Sequence, residues 1–215
     1  YEPGNIVINL TKTRGAGSLA HEWFHALDNY FQRSRNATGI KDGQGDYITT
    51  QAENYYQNTT TGHRLSASRF AEIQKSGRPL NTEAWKLVEG VRTEVAEAFA
   101  DLVKTLDASP MAARASNIDK GKSDGYWSRI IERAARSFEN YAIAKMQLNG
   151  YHNDYLANVV SVEDFARDKG RYPYLLAEEV GPVAEAFDAL FSTIKTKETD
   201  KGTALYAALP VGRDE

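Results

Sequence analysis

The chain contains no cysteine, which removes disulfide frameworks, thiolate metal sites and cysteine nucleophiles together. Any metal must therefore be held by His, Asp or Glu. Long apolar runs are missing as well: none approaches the roughly 20 residues that cross a bilayer, and the N-terminus lacks the charged-then-apolar pattern of a signal peptide. Nor is there an excess of positive charge. The formal net charge is -3 and the pI about 5.9, so direct nucleic-acid binding is not expected. Internal repeats and low-complexity tracts are absent. These absences leave a soluble, cytoplasmic setting with no membrane partner. The chain opens at Tyr1 without an initiator Met and closes on a polar stretch, which reads as a piece excised from a longer polypeptide.

What is present suits one globular domain: 215 residues, 41% hydrophobic and 26% charged. Asn5-Ile-Val-Ile-Asn-Leu10 is a short β-branched run that reads as a strand. Ser18 is a good N-cap for a helix from Leu19 to about Phe31. Residues 33–66 turn polar and form a loop or insertion, with a short β piece at Tyr47–Thr50. Ala67–Gln74 suits a short helix. From Thr82 to Leu106, residues Leu87, Val88, Val91, Val95, Ala98, Phe99, Leu102 and Val103 share a helical face, and this is the clearest helix in the chain. Further helices are expected from Trp127 to Leu148, closed by Gly150, and from Glu178 or Pro182 to Ile194. The fold class is thus mainly α (α+β), with one domain over 1–194 and a loose tail or linker over 195–215.

Two of the four histidines stand in His21-Glu-Trp-Phe-His25, the His-Glu-x-x-His pattern of zinc peptidases. Residues four apart on a helix project from one face, so two imidazoles reach one tetrahedral metal. Glu22 is the neighbour that leans over the open position as general base. A chance match on an amphipathic helix is the bland alternative. Placement on a helix directly after a strand and a Gly-containing turn favours zinc.

A third protein ligand is needed. His63 falls in the polar loop and His152 in a turn, where both read as surface residues. Asp28 lies one turn beyond His25 and rotates away from the metal, which suits a structural hydrogen bond or a supporting contact to a ligand. Glu94, Glu97 and Asp101 lie on the solvated side of their helix. Glu132 and Glu139, seven apart on one helix side and bordered by apolar neighbours, are costly to bury unless paired or metal-bound. Salt bridging to Arg133 or Arg136 competes equally for each. Trp23 and Phe24 read as core packing. Tyr151 and Tyr155 are candidates to stabilise an oxyanion, with packing as the default for either.

Arg14-Gly-Ala-Gly-Ser-Leu-Ala-His-Glu-Trp-Phe-His-Ala-Leu-Asp28, Tyr126-Trp127 before Glu132-Arg-Ala-Ala-Arg-Ser-Phe-Glu139, Asn153-Asp-Tyr-Leu156 and Ala186-Phe-Asp-Ala-Leu-Phe191 together resemble the zincin-like domain of the large polyvalent proteins of phages and conjugative elements. The resemblance spans roughly Asn5 to Phe191. The Glu132-x-x-Ala-x-x-Phe138 form resembles the third-ligand helix of glutamate-type zincins and favours Glu132, with Glu139 orienting a ligand or replacing it. It implies a zincin-like helical domain with a small β component beside the motif helix. It also implies a zinc cofactor at His21, His25 and Glu132, a protein or peptide substrate, covalent linkage to further domains, and a virion-associated or host-delivered protein.

Three functions compete. A zinc metallopeptidase uses His21, His25 and Glu132 as ligands and Glu22 as base. A non-catalytic zinc-binding interaction module would keep the metal but has no need of Glu22. A metal-free helical domain would need neither.

Overall fold

The computed structural model describes residues 1, 2, 5, 7–10, 17–35, 47–50, 54–88, 91–165, 168–200 and 202–206. Its helices are α1 (Leu19–Arg35), α2 (Ala67–Lys75), α3 (Thr93–Ala108), α4 (Pro110–Asp119), α5 (Ile130–Leu148) and α6 (Ala177–Thr193). Its strands are β1 (Tyr55–Asn58), β2 (Arg64–Ser66), β3 (Trp85–Leu87), β4 (Lys195–Thr199) and β5 (Gly202–Tyr206). The molecule is mainly helical with a small antiparallel β component, the class expected from the sequence. No helix among the described residues is long and apolar enough to cross a membrane.

α1 starts directly after Ser18, whose carbonyl accepts the Glu22 amide at 3.0 Å, and runs a turn past the expected end at Phe31. Gly17 sets its position. At φ +86° it occupies the left-handed region. Its amide donates to the Tyr155 carbonyl at 3.2 Å, and its carbonyl accepts the Asn158 amide at 3.1 Å. A Cβ there would fall 2.6 Å from Asn158 Cβ. The start of α1 is thereby docked on the turn after α5, a link the Ala20 amide reinforces by donating to the Leu156 carbonyl at 2.8 Å.

The apolar side of α1 buries Phe24, Leu27 and Phe31. Phe24 stacks on Phe138 of α5 with ring centroids 5.2 Å apart and meets Phe187 of α6 edge-on at 5.5 Å, while Phe31 meets Phe99 of α3 at 5.5 Å. Rings in these offset and edge-on arrangements add to the area they bury. The core therefore lies among α1, α3, α5 and α6. Trp23 departs from the expectation of core packing: it remains 38% exposed, stacked on Phe138 and Phe191 at the rim.

Several expected elements differ. The helix foreseen from Thr82 to Leu106 is a turn at Thr82–Ala84, then β3, and only from Thr93 a helix. β3 pairs antiparallel with β1, Gln57 opposite Lys86, in a sheet of order β2-β1-β3. Leu87 and Val88 fit a helical face equally well, because a short apolar run does not distinguish a strand from a helix end. The polar insertion over 33–66 holds the β1–β2 hairpin. The β piece foreseen at Tyr47–Thr50 is a single helical turn, Ile48–Thr50, with Ile48 fully buried.

The Asn5–Leu10 strand is not formed among its described residues. Val7 makes one isolated bridge to Glu2, and residues 8–10 are irregular; Ile6 and the turn residues Arg14–Ala16 lie outside the described residues. A strand immediately before the motif helix therefore no longer supports the zinc reading. α4 was not foreseen, although Ser109-Pro110 is a helix-start signal: the Ser109 hydroxyl accepts the Met111 amide at 3.2 Å.

α5 is enclosed along its first half, where every residue from Glu132 to Glu139 is buried. Gly150, at φ +74°, closes its end as expected. α6 is tied to α4 by Arg114, which donates to Glu179 at 2.9 Å and 2.5 Å and to the Tyr172 and Tyr174 carbonyls. Within the stretch read as a tail, β4 and β5 pair antiparallel, and the Tyr30 hydroxyl donates to the Leu205 carbonyl at 2.9 Å.

Candidate metal centre

Two helices build the site. α1 carries His21 and His25 one turn apart, and the Phe24–Phe138 stack holds α1 against α5 so that both rings face Glu132. The His21 and His25 Nε2 atoms are 3.1 Å apart. Glu132 Oε2 lies 3.5 Å from His21 Nε2, and Glu132 Oε1 3.6 Å from His25 Nε2. One ligand atom from each of the three residues falls within 4.8 Å of the others. Around a tetrahedral zinc with bonds of about 2.0–2.1 Å, neighbouring ligand atoms stand roughly 3.3–3.4 Å apart. The nitrogen pair at 3.1 Å and the oxygen nearest each nitrogen, Oε2 for His21 and Oε1 for His25, lie near that edge, so the carboxylate faces both rings with one oxygen each.

The hydrogen bonding also fits a cation. Glu132 Oε2 is buried with only long polar contacts, 3.5 Å to His21 Nε2 and 3.8 Å to an Arg136 nitrogen, a costly condition for a carboxylate oxygen. Two neutral imidazoles cannot both present lone pairs 3.1 Å apart without a proton or metal between them. Metal-free, the pair resolves this by splitting its affinities for the proton. Burial pushes His21 down, but the carboxylates of Glu132 and Glu139 beside it outweigh this and lift it to about 9. Burial and the neighbouring charge of His21 push His25 down to about 4. Burial works to raise Glu132, but His21, His25 and the Tyr126 hydroxyl together hold it below the ordinary carboxylate range.

Glu139 stands behind His21 rather than at the convergence point. Its Oε2 lies 3.3 Å from His21 Nδ1, and burial raises its affinity for a proton. An Nδ1–H donated to Glu139 leaves Nε2 with its lone pair toward Glu132 and His25. Of the salt bridges weighed for Glu132, the one to Arg136 exists at 3.8 Å. Arg133 turns away to the Leu106 carbonyl and Asp107. The Arg136 guanidinium lies over the Trp127 ring at 4.6 Å and donates to the Trp127 carbonyl at 2.7 Å.

Glu22 is a quarter exposed, and its charge acts on both His25 and Glu139. Asp28 does not join the cluster. It is fully buried against Thr49. His63, His152, Tyr151 and Tyr155 are exposed, as are Glu94, Glu97 and Asp101. Sequence reasoning missed Tyr47, whose ring packs against His25 at 5.8 Å. It lies in the polar stretch, where no periodicity marks it.

Fold and site together define a mainly helical domain with a His-His-Glu cluster bridging two helices. Residues 118–198 match the model of a family described as large polyvalent protein-associated domain 1, which supports that domain family for this part of the chain. The match takes in α5, Glu132, Glu139 and α6 but stops short of the motif on α1. No curated protein and no solved structure matches the chain.

Proposed function

We propose that this domain is a zinc-dependent hydrolase of peptide bonds, in which His21, His25 and Glu132 hold the metal and Glu22 is the general base. The observation that carries the reading is the convergence of two helices on one point: the His21 and His25 Nε2 atoms lie 3.1 Å apart, with Glu132 Oε2 3.5 Å from the first and Glu132 Oε1 3.6 Å from the second. Held by these three residues, zinc would supply a water of near-neutral pKa and a Lewis acid for the scissile carbonyl. The protein's own groups do the rest. Glu139 fixes the tautomer and angle of His21, and Arg136 with Tyr126 neutralises and steadies Glu132. Glu22, next to His21 on α1, takes a proton from the attacking water and returns it to the leaving amine. The substrate class is protein or peptide, and the domain works as one part of a polyvalent phage or mobile-element protein.

The test is a pair of measurements on one set of proteins: metal content, and cleavage of an unfolded protein substrate with zinc loaded. One zinc per chain with turnover that Glu22→Gln abolishes supports the hydrolase. Zinc without turnover in either protein points to the non-catalytic zinc-binding module. No zinc rejects both.

A further inference from the structure

Asp28 has no exposed surface although it carries a carboxyl group. It sits one turn past His25 on α1, yet both oxygens point to Thr49. Oδ1 accepts the Thr49 amide at 2.9 Å, and Oδ2 accepts the Thr49 hydroxyl at 2.5 Å. Burying a carboxyl costs free energy that an apolar residue of the same size would not incur. What the acid provides is a fastening of α1 to the helical turn Ile48–Thr50, whose Ile48 is fully buried in the core.

That turn is tied in its own right to the residue before it. The Thr50 amide and hydroxyl both donate to the Tyr47 carbonyl, at 3.1 Å and 2.6 Å. Tyr47 is thus held by its backbone, and its ring meets the His25 ring at 5.8 Å and an interplanar angle of 60°. His25 depends on this contact more than His21 does. His21 Nδ1 is paired with Glu139, whereas His25 Nδ1 is buried with no hydrogen-bond partner among the described residues. With no bond to its second nitrogen, the angle of the His25 ring is set by packing.

We propose that Asp28 is a positioning residue for the metal centre: by fastening Ile48–Thr50 to α1 it holds Tyr47 against His25, and so fixes the direction in which His25 presents Nε2 toward His21 and Glu132. In its effect on metal binding this rests on the zinc reading above; in its effect on the His25 ring it does not. Asp28 does for His25 through packing what Glu139 does for His21 through a hydrogen bond.

The experiment uses the full chain with Asp28→Ala, Asp28→Asn and Tyr47→Leu. Zinc affinity is read by competition with a chromophoric chelator well below the melting temperature, and the His25 ring carbon and proton shifts are read by NMR on metal-free protein. Asp28→Ala and Tyr47→Leu should each weaken zinc about 10- to 100-fold and move the His25 signal. Asp28→Asn should restore most of both, because its amide oxygen still accepts the Thr49 amide and its amide group can donate to the Thr49 hydroxyl. A folded Asp28→Ala protein with wild-type zinc affinity and an unmoved His25 signal overturns the proposal. Should Asp28→Ala fail to fold, Tyr47→Leu decides by the same two readings. If the wild type binds no zinc, the zinc reading falls, and the His25 signal alone still judges the positioning role.

Discussion

Glu132 and Glu139 share one side of α5, but only Glu132 reaches both histidines; Glu139 touches His21 alone, on the ring nitrogen facing away from the cluster. That difference gives the two acids separable consequences. Glu132→Gln should remove stoichiometric zinc binding, whereas Glu139→Gln should leave it intact and weaker by about 10- to 100-fold. Equilibrium dialysis against buffered zinc ranks the two, and the opposite ranking would make Glu139 the ligand. Glu22→Gln belongs to a third class. It should keep the metal and lower turnover by about 100- to 10,000-fold, as read by steady-state cleavage of a fluorogenic peptide once one is found. At this scale the sequence was informative where helical spacing sets geometry. His21 and His25 at i and i+4, and Glu132 and Glu139 at i and i+7, each share a face by spacing alone. The sequence marked Asp28 for a structural hydrogen bond but was silent on Tyr47 and on the partner Thr49, 21 residues away across the polar stretch. No local pattern announces such a contact.

Among elements, the pairing of α1 with α5 is what converts two sequence motifs into one site. It depends on the Phe24–Phe138 stack and on the docking of Gly17 against Tyr155 and Asn158. Gly17→Ala places a Cβ 2.6 Å from Asn158 Cβ and at φ +86°, so it should destabilise the fold by about 1–3 kcal/mol. A lowered midpoint in urea unfolding with an unchanged slope is the expected signature. An unaffected midpoint would mean that the start of α1 is not held there. The helices with sustained apolar periodicity, α1, α5 and α6, were legible with boundaries displaced by about a turn, the start of α6 lying one residue before Glu178 and five before Pro182, the two starts expected. Trp85–Leu87 was not, because its strand character comes from pairing with β1, a tertiary partner that periodicity does not encode. α4 had its Ser-Pro start but only a weak apolar stripe: Met111 and Ala115 are its buried apolar residues.

For the whole molecule, the buried Asp28 links stability to pH. Burial raises it to about 7, against the hydrogen bonds from Thr49 and Ile48 that act to lower it. The folded state therefore holds a proton that the unfolded chain has already released above about pH 4. The sign follows: the ionisation-linked cost of Asp28 is absent at low pH and subtracts stability as pH rises from about 4 to about 7. Asp28→Asn, uncharged throughout, should gain in melting temperature relative to the wild type across that interval and hold the gain above it. A difference between the two proteins that stays flat with pH would show that Asp28 is ionised in the fold at all these values.

Both the hydrolase reading and the role given to Asp28 in binding come down to whether one cation is shared by α1 and α5. Metal content of the purified chain, by elemental analysis after equilibration with limiting zinc, tests this most directly. The wild type should retain one zinc per chain, and His21→Ala, His25→Ala and Glu132→Gln should each retain none while keeping their helical circular dichroism. A wild type without zinc, or a His25→Ala protein that keeps it, would contradict the assignment.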